Sequence, residues 1–484
     1  MSIMITYNLL VVIALCTFTV NAFSLPSMKM KSHISIPKMR STFLGMTLIR
    51  DNKVEIDVLD QRFRKATKQL STLGPASNTF EMIEKLFLSG ADVFRLNFSH
   101  GEHAEKAKLV DIIRAVEKKY DHPIGILGDL QGPKLRVGTF VDDKKVFLED
   151  GQEFEFDLFT DQPGNTQRVS LPHPEILNTL QKDDVLLLDD GKLRMKVLES
   201  TMSSSDEKAR KVKCQVLIGG ALSNRKGVNT PSIILPLSPL TDKDRKDLDF
   251  ILTLDIDWVA LSFVQTPDDI REIKGLAGDK VKIMAKLEKP SAVGDNLDEI
   301  VHLSDGIMVA RGDLGVEMNP WDVPVIQKRI EVNCKKYGRP CVIATQMMES
   351  MIENPTPTRA EASDCATAIF DSADAVMLSA ESAAGKYPVE SVTMQQLIIN
   401  KVENDRVFKE SLNAYLPEGI AVDGTDPTIA ITLAARQVAE ISESKALICF
   451  TSSGGTVLRA SRFRPNVSTK SSLYILHLFL SSRF

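Results

Sequence analysis

MAKLEK (Met284–Lys289) and MVARGDLG (Met308–Gly315) decide how this chain is read. Each begins in an apolar run of strand character and ends on charge. Lys286 and Glu288 stand two apart, so on a β-strand both side chains point to one face. Asp313 adds a second carboxylate at the end of the next apolar run. One ammonium and two carboxylates, delivered by neighbouring strand ends, suit Mg²⁺-assisted chemistry on a phosphorylated acid. The carboxylates hold the metal, and the lysine neutralises charge on the reacting group. A lone Lys-x-Glu is also what a buried ion pair looks like, so the rest of the chain has to decide.

Outward from this pair the pattern repeats. The spacing predicts strands over Thr67–Leu73, Asp92–Ser99, Ile124–Gln131, Ile256–Val264, Lys282–Lys289, Gly306–Asp313, Pro340–Met347 and Ala375–Glu381. Helical periodicity lies between most of them, as in Thr79–Ser89, Ala104–Lys119, Trp321–Tyr337 and Arg359–Ser372. Eight strands alternating with helices indicate an α/β fold, a (β/α)₈ TIM barrel, over residues 51–139 and 222–404. Between the third and fourth strands, residues 140–221 carry short alternating runs and the turns Asp150-Gly151, Pro163-Gly164 and Asp190-Gly191. That is an inserted all-β domain, placed where a barrel keeps its active-site loops and suited to act as a lid. Residues 405–484 begin another α/β unit, with a helix over Pro427–Ser442, a strand over Lys445–Thr451 and a small-residue loop, Ser452–Thr456. From Asn466 the chain turns Ser- and Leu-rich without clear caps or periodicity.

The bulk composition excludes little. A net charge of −5 over 484 residues gives no reason to expect nucleic-acid binding. Six scattered cysteines point to reduced thiols rather than a disulfide framework or a metal site. Residues 1–50 differ from the rest: an apolar run, Leu9–Val20, is followed by Asn21-Ala22-Phe23 and then by a Ser-, Lys- and Arg-containing stretch without acids. This is the composition of a signal segment followed by a transit peptide, similar to the bipartite presequences of algae with complex plastids. It predicts a plastid protein with no membrane segment after processing; the alternative is a cytoplasmic one.

In a barrel enzyme, chemistry sits at the C-terminal ends of the strands. Here Arg95, Asn97 and Ser99 share a face of the second strand, Asp129 ends the third and Ser262 the fourth. Lys286 and Glu288 close the fifth, Asp313 the sixth, Thr345 the seventh and Glu381 the eighth. Isolated buried charges are costly, and a ring of them at one end of a barrel is better explained as a site than as packing.

Most of these residues lie in motifs that together resemble the pyruvate kinase family: TLGPASN (Thr72–Asn78), RLNFSHG (Arg95–Gly101), GPKLRVG (Gly132–Gly138), RKGVN (Arg225–Asn229), MAKLEK, ARGDLGVE (Ala310–Glu317), ATQMMESMI (Ala344–Ile352) and PTRAEASD (Pro357–Asp364). The match is collinear from about Lys65 to Pro465. The resemblance implies phosphoryl transfer from phosphoenolpyruvate to ADP, giving pyruvate and ATP, in what is a homotetramer in the family. It implies that Glu288 and Asp313 hold Mg²⁺, that Arg95 clamps the moving phosphoryl group, and that Lys286 neutralises that group and the enolate. Gly312 and Asp313 would open a short helix toward the substrate carboxylate, and Thr345 would stand beside the enolate on the proton path, a water chain being the final acid. On the nucleotide side it assigns Asn97, Phe98, Ser99, His100, Arg136 and Lys226, with His100 open to a structural role and Glu381 supporting the site from behind.

Two departures from the family pattern stand out. Family members commonly carry Asp-Thr-Lys-Gly-Pro-Glu where this chain has Asp129-Leu130-Gln131-Gly132-Pro133-Lys134. The resemblance puts a monovalent cation, K⁺, among oxygens of Asn97, Ser99, Asp129 and that threonine. Leu130 offers no oxygen and Lys134 brings a tethered ammonium, so the pattern resembles the K⁺-independent branch. Beyond Pro465 the similarity stops, which implies a shortened C-terminal domain and puts effector binding and its subunit contacts in question. Two other readings stay open: another TIM-barrel enzyme of phosphoenolpyruvate or pyruvate, and a non-catalytic relative serving in metabolite binding or assembly.

Overall fold

Strands buried on both faces need apolar residues at every position, and the runs flanking the motifs meet that demand. In the computed structural model the described residues are 62, 65–206, 210–231, 233, 238–414, 427–444, 446–451, 454–465 and 468–472. Eight of the runs form β1 (Lys68–Thr72), β2 (Val93–Asn97), β3 (Gly125–Asp129), β4 (Trp258–Leu261), β5 (Lys282–Leu287), β6 (Gly306–Ala310), β7 (Cys341–Ala344) and β8 (Ala375–Leu378). Each pairs in parallel with the next, and β8 pairs back onto β1, so the sheet closes as the expected TIM barrel.

The period of two sorts every strand between two cores. Leu70, Leu127, Met284, Met308 and Met377 fill the barrel interior. Phe94, Ile126, Ile283, Ile307, Ile343 and Val376 face outward into the layer beneath the helices. On β5, Ile283, Ala285 and Leu287 belong to the outer layer and Met284 to the inner one, so Lys286 and Glu288 follow Met284 toward the barrel axis. The same count directs Arg95, Asp129 and Ser262 inward. The helices are α1 (Phe80–Ser89), α2 (His103–Tyr120), α3 (Asp242–Ile251), α4 (Pro267–Ala277), α5 (Leu297–Leu303), α6 (Arg311–Glu317), α7 (Val323–Tyr337), α8 (Arg359–Phe370), α9 (Pro388–Glu403) and α10 (Arg406–Ala414). Their starts carry local signals: Thr241 with Asp244, and Thr358 with Glu361, form capping boxes.

The strands stop one to three residues earlier than the alternation predicts. β6 ends at Ala310 and α6 begins at once, so Asp313 is a helix residue rather than a strand end. β7 ends at Ala344 because Thr345 and Gln346 both have positive φ, 67° and 55°.

The insertion forms a six-stranded sheet, in spatial order Val228–Asn229, Val185–Leu188, Leu193–Ser200, Lys211–Ile218, Glu153–Asp157 and Arg168–Ser170, beside a two-stranded one. It is not purely β, since Pro174–Leu177 is one helical turn. Its core takes in Leu135, Val137 and Val228, wider than the 140–221 marked by the turn signals, because the return strand at Val228 pairs with Val185–Leu188. The boundary expected at 405 also moves. Helix α10 belongs with the barrel, with Phe408 buried in its core and in ring contact with Phe370 at 5.9 Å.

A second compact unit takes in residues from Asp426. It contains α11 (Pro427–Ile441), a strand Ala446–Phe450, α12 (Gly455–Ser461) and a strand Ser468–Ser472 that pairs in parallel with Ala446–Phe450. Within the stretch after Asn466, the five small or polar residues STKSS form a strand that their periodicity does not announce. Residues 1–50, read as a presequence, and 473–484 lie outside the described residues.

Candidate active site

The inward-pointing ends of β2, β3, β4 and β5 meet around one buried carboxylate. Asp129 Oδ2 is 2.6 Å from both Nε and Nη2 of Arg95, and Oδ1 is 3.4 Å from Lys286 Nζ. Lys286 Nζ lies 2.9 Å from Glu288 Oε1 and donates to Ser262 Oγ at 2.7 Å. Arg95 Nη1 donates to Thr72 Oγ1 at the end of β1, at 3.1 Å. Two cations are thus held apart by one shared anion, with Asp129 and Glu288 each 1% exposed.

The charges set one another's protonation. Burial pushes the Asp129 carboxyl up, but Lys286 and Arg95 outweigh it and hold it below the usual range. Burial works against the Lys286 ammonium, yet Asp129 and Glu288 together raise its pKa. Glu288 differs: burial, reinforced by the Asp313 charge against the pull of Lys286, pushes it up to about 7. Glu288 Oε2 accepts the Phe263 N–H at 2.7 Å, while Oε1 is buried without a hydrogen bond of good geometry. A carboxyl so placed beside a second carboxylate suits a hard divalent ion that takes few protein ligands. Glu288 and Asp313 therefore fit the Mg²⁺ assignment.

The K⁺ set is one oxygen short, and its other carboxylate and amide oxygens already have partners. Both Asp129 oxygens are engaged by Arg95, Lys286 and Ser262. Asn97 Oδ1 accepts the Ser99 N–H at 3.0 Å, and position 130 is leucine. Lys134 is exposed and lines a pocket between the barrel end and the insertion, together with Asp190, Asn229, Phe263, Lys289 and Asp313.

The remaining assigned residues fall into place unevenly. Gly312 N–H, expected to face the substrate carboxylate, donates to Thr345 Oγ1 at 2.7 Å, and that hydroxyl donates to Ala344 O at 2.6 Å. Phe98, expected on the nucleotide side, has its ring in the outer core, 3% exposed. His100 is exposed. Arg136 and Lys226 come together because Arg136 bridges to Gly227 across the insertion's return. Arg136 Nη1 donates to Arg225 O at 2.9 Å, and Lys226 pairs with Asp189 at 2.7 Å. Glu381 accepts the N–H groups of Met348 and Ser379, so it braces the loops after β7 and β8.

Several contributors escape residue-by-residue reading. Lys289 Nζ pairs with Glu317 Oε1 at 2.6 Å, and Asn229 Nδ2 donates to the same oxygen at 2.7 Å. The last letters of MAKLEK, ARGDLGVE and RKGVN thereby tie β5, α6 and the insertion together, and only their shared place in motifs hints at it. Lys106 is 8% exposed, and its side chain makes no hydrogen bond or ion pair among the described residues. Burial pulls its pKa down, and the balance of Glu105, Arg95, Lys243 and Asp247 leaves it lowered.

Comparison with known proteins points to one family. Residues 64–392 match the family model "Pyruvate kinase, barrel domain". A pyruvate kinase of Methylorubrum extorquens is 51% identical over 406 residues, 84% of this chain and 82% of that protein. One of Agrobacterium vitis is 46% identical over 404 residues, 84% of this chain and 81% of that protein. The crystal structure of a pyruvate kinase from Cryptosporidium parvum superposes with a TM-score of 0.77 at 32% identity, covering 86% of this chain and 84% of that one.

Proposed function

This chain belongs to the pyruvate kinase family, and on that premise we propose that it moves the phosphoryl group of phosphoenolpyruvate to ADP at the β2–β5 strand ends. It is a phosphotransferase, and the observation that supports the proposed site best is the buried group of Arg95, Asp129, Lys286 and Glu288. The family implies Mg²⁺ dependence. Glu288 and Asp313 would hold the ion, which when bound neutralises charge on substrate oxygens.

The chain's own residues do the rest. Arg95 has five N–H donors, and its contacts to Asp129 and Thr72 leave others for a phosphoryl group. Lys286, fully charged and held by Asp129 and Glu288, faces the negative charge that grows as the phosphoryl bond loosens and an enolate is left. Thr345 supplies a fixed hydroxyl beside the enolate, with protonation finished through water. Arg136 and Lys226, on the insertion's return, supply positive charge for the nucleotide phosphates, and the insertion keeps bulk water out. Pyruvate formation that needs ADP and Mg²⁺ together, in a lactate dehydrogenase-coupled assay, is the expected result; pyruvate released without ADP would overturn it.

Catalysis is proposed to be independent of K⁺, which the engaged Asp129 and Asn97 oxygens and Leu130 support. Equal rates in K⁺ and tetramethylammonium buffers are expected, and a strict K⁺ requirement would sink the idea. The family's homotetramer and plastid import directed by residues 1–50, with the cytoplasm as alternative, complete the proposal. Sedimentation velocity and the location of a fluorescent C-terminal fusion check them.

A further inference from the structure

Thr345 and Gln346 stand at φ 67° and 55°, in the left-handed region that a β-branched residue such as threonine seldom enters. Two such residues in succession at a strand end of the site require surroundings that over-determine them. One side chain supplies several of those contacts. Arg311 Nη2 donates to Thr345 O at 2.8 Å and to Met347 Sδ at 2.9 Å, and Nε reaches Ala344 O at 3.4 Å. Asp364, on α8, orients the guanidinium through Nη1 at 2.9 Å and Nη2 at 2.8 Å. The Arg311 side chain is 12% exposed. It therefore belongs to the scaffold behind Thr345.

We propose that Arg311 is a positioning residue for Thr345: its guanidinium, oriented by Asp364, holds the Ala344–Thr345–Gln346 turn in the conformation that carries the Thr345 hydroxyl to Gly312. Arginine suits this place because its planar fork serves a carboxylate and a carbonyl at once, which a lysine cannot reproduce. Gly312 completes the seat. Its N–H donates to Thr345 Oγ1 at 2.7 Å, and a Cβ there would be in van der Waals contact with that hydroxyl at 3.4 Å. The inference rests on the assignment of Thr345 to the enolate.

A double-variant cycle on the full chain tests it. Arg311→Gln is expected to lower kcat roughly ten- to a hundredfold, the scale of a misplaced reacting group, with little change in KM for phosphoenolpyruvate. Thr345→Ala is expected to lower kcat comparably, and the double variant to be no worse than the worse single one. Thr345→Ser, which keeps the hydroxyl and loses the branch, is expected to restore part of the rate in the Arg311→Gln background. Losses that multiply in the double variant overturn the proposal, as does a KM effect with kcat intact. Full activity in Thr345→Ala instead overturns the assignment of Thr345, and the proposal with it. Should Arg311→Gln not fold, by circular dichroism, the same cycle with Asp364→Asn decides by the same criteria.

Discussion

At the scale of single residues, Asp129 separates two accounts of the site. As a ligand for a monovalent cation its removal would change ion dependence. As the shared anion between Arg95 and Lys286 its removal leaves two buried cations facing each other. The second account predicts that Asp129→Asn lowers kcat by about two orders of magnitude, a loss that added K⁺ does not recover. Rates measured across a K⁺ series check this, and recovery by K⁺ would return Asp129 to the first account. Lys286→Met, removing the charge proposed to meet the enolate, is expected to lower kcat by roughly 10²–10³-fold, measured against a parent of equal Tm. The period of two made the direction of Lys286, Glu288, Arg95 and Asp129 legible, because one apolar neighbour in each strand fixes the face of all the others. What stayed illegible is pairing. Nothing in the string of residues says that Arg95 and Lys286 share Asp129, or that Thr345 sits at positive φ, since both depend on atoms brought from other strands.

At the scale of elements, the long helices were legible to within two residues at either end, whereas α6 was not, because it starts inside a run that reads as strand as far as Asp313. Helix α7 illustrates a cost that periodicity also conceals. Glu331 lies on its buried face, 3% exposed, next to Gln327. Burial, with the charge of Asp371, pushes its carboxyl up to about 8. A carboxyl raised above its unfolded value favours the folded state while protonated, so that contribution is complete below about pH 4.5 and is lost as pH rises through about 8. Stability should therefore fall between pH 6 and pH 9, and Glu331→Gln should flatten the fall. Chemical denaturation at the two pH values checks it, and parallel curves for parent and variant would show that Glu331 is already ionised in the folded protein.

At the scale of the whole molecule, the described residues form two compact units with separate apolar cores. The larger holds the entire proposed site, and its inner core is the floor on which the charged strand ends stand. Met308 is fully buried in that floor, on the strand that leads into Asp313 through Ala310 and α6. Met308→Ala removes its buried side chain from a closed ring of strands that collapses poorly around a void, so a loss of about 2–4 kcal/mol is expected. On the proposed function, substrate and Mg²⁺ bind the folded barrel only, so by linkage they should raise the midpoint of its unfolding. The smaller unit has its own core of Ala435, Leu447, Cys449 and Ala460, and every residue named for the site belongs to the larger. Calorimetry should then show one transition that moves down with Met308→Ala and up with phosphoenolpyruvate plus Mg²⁺, and a second that follows neither. A single transition shifting as one would mean that the two units unfold together, and the barrel's floor would then support the whole chain rather than the site alone.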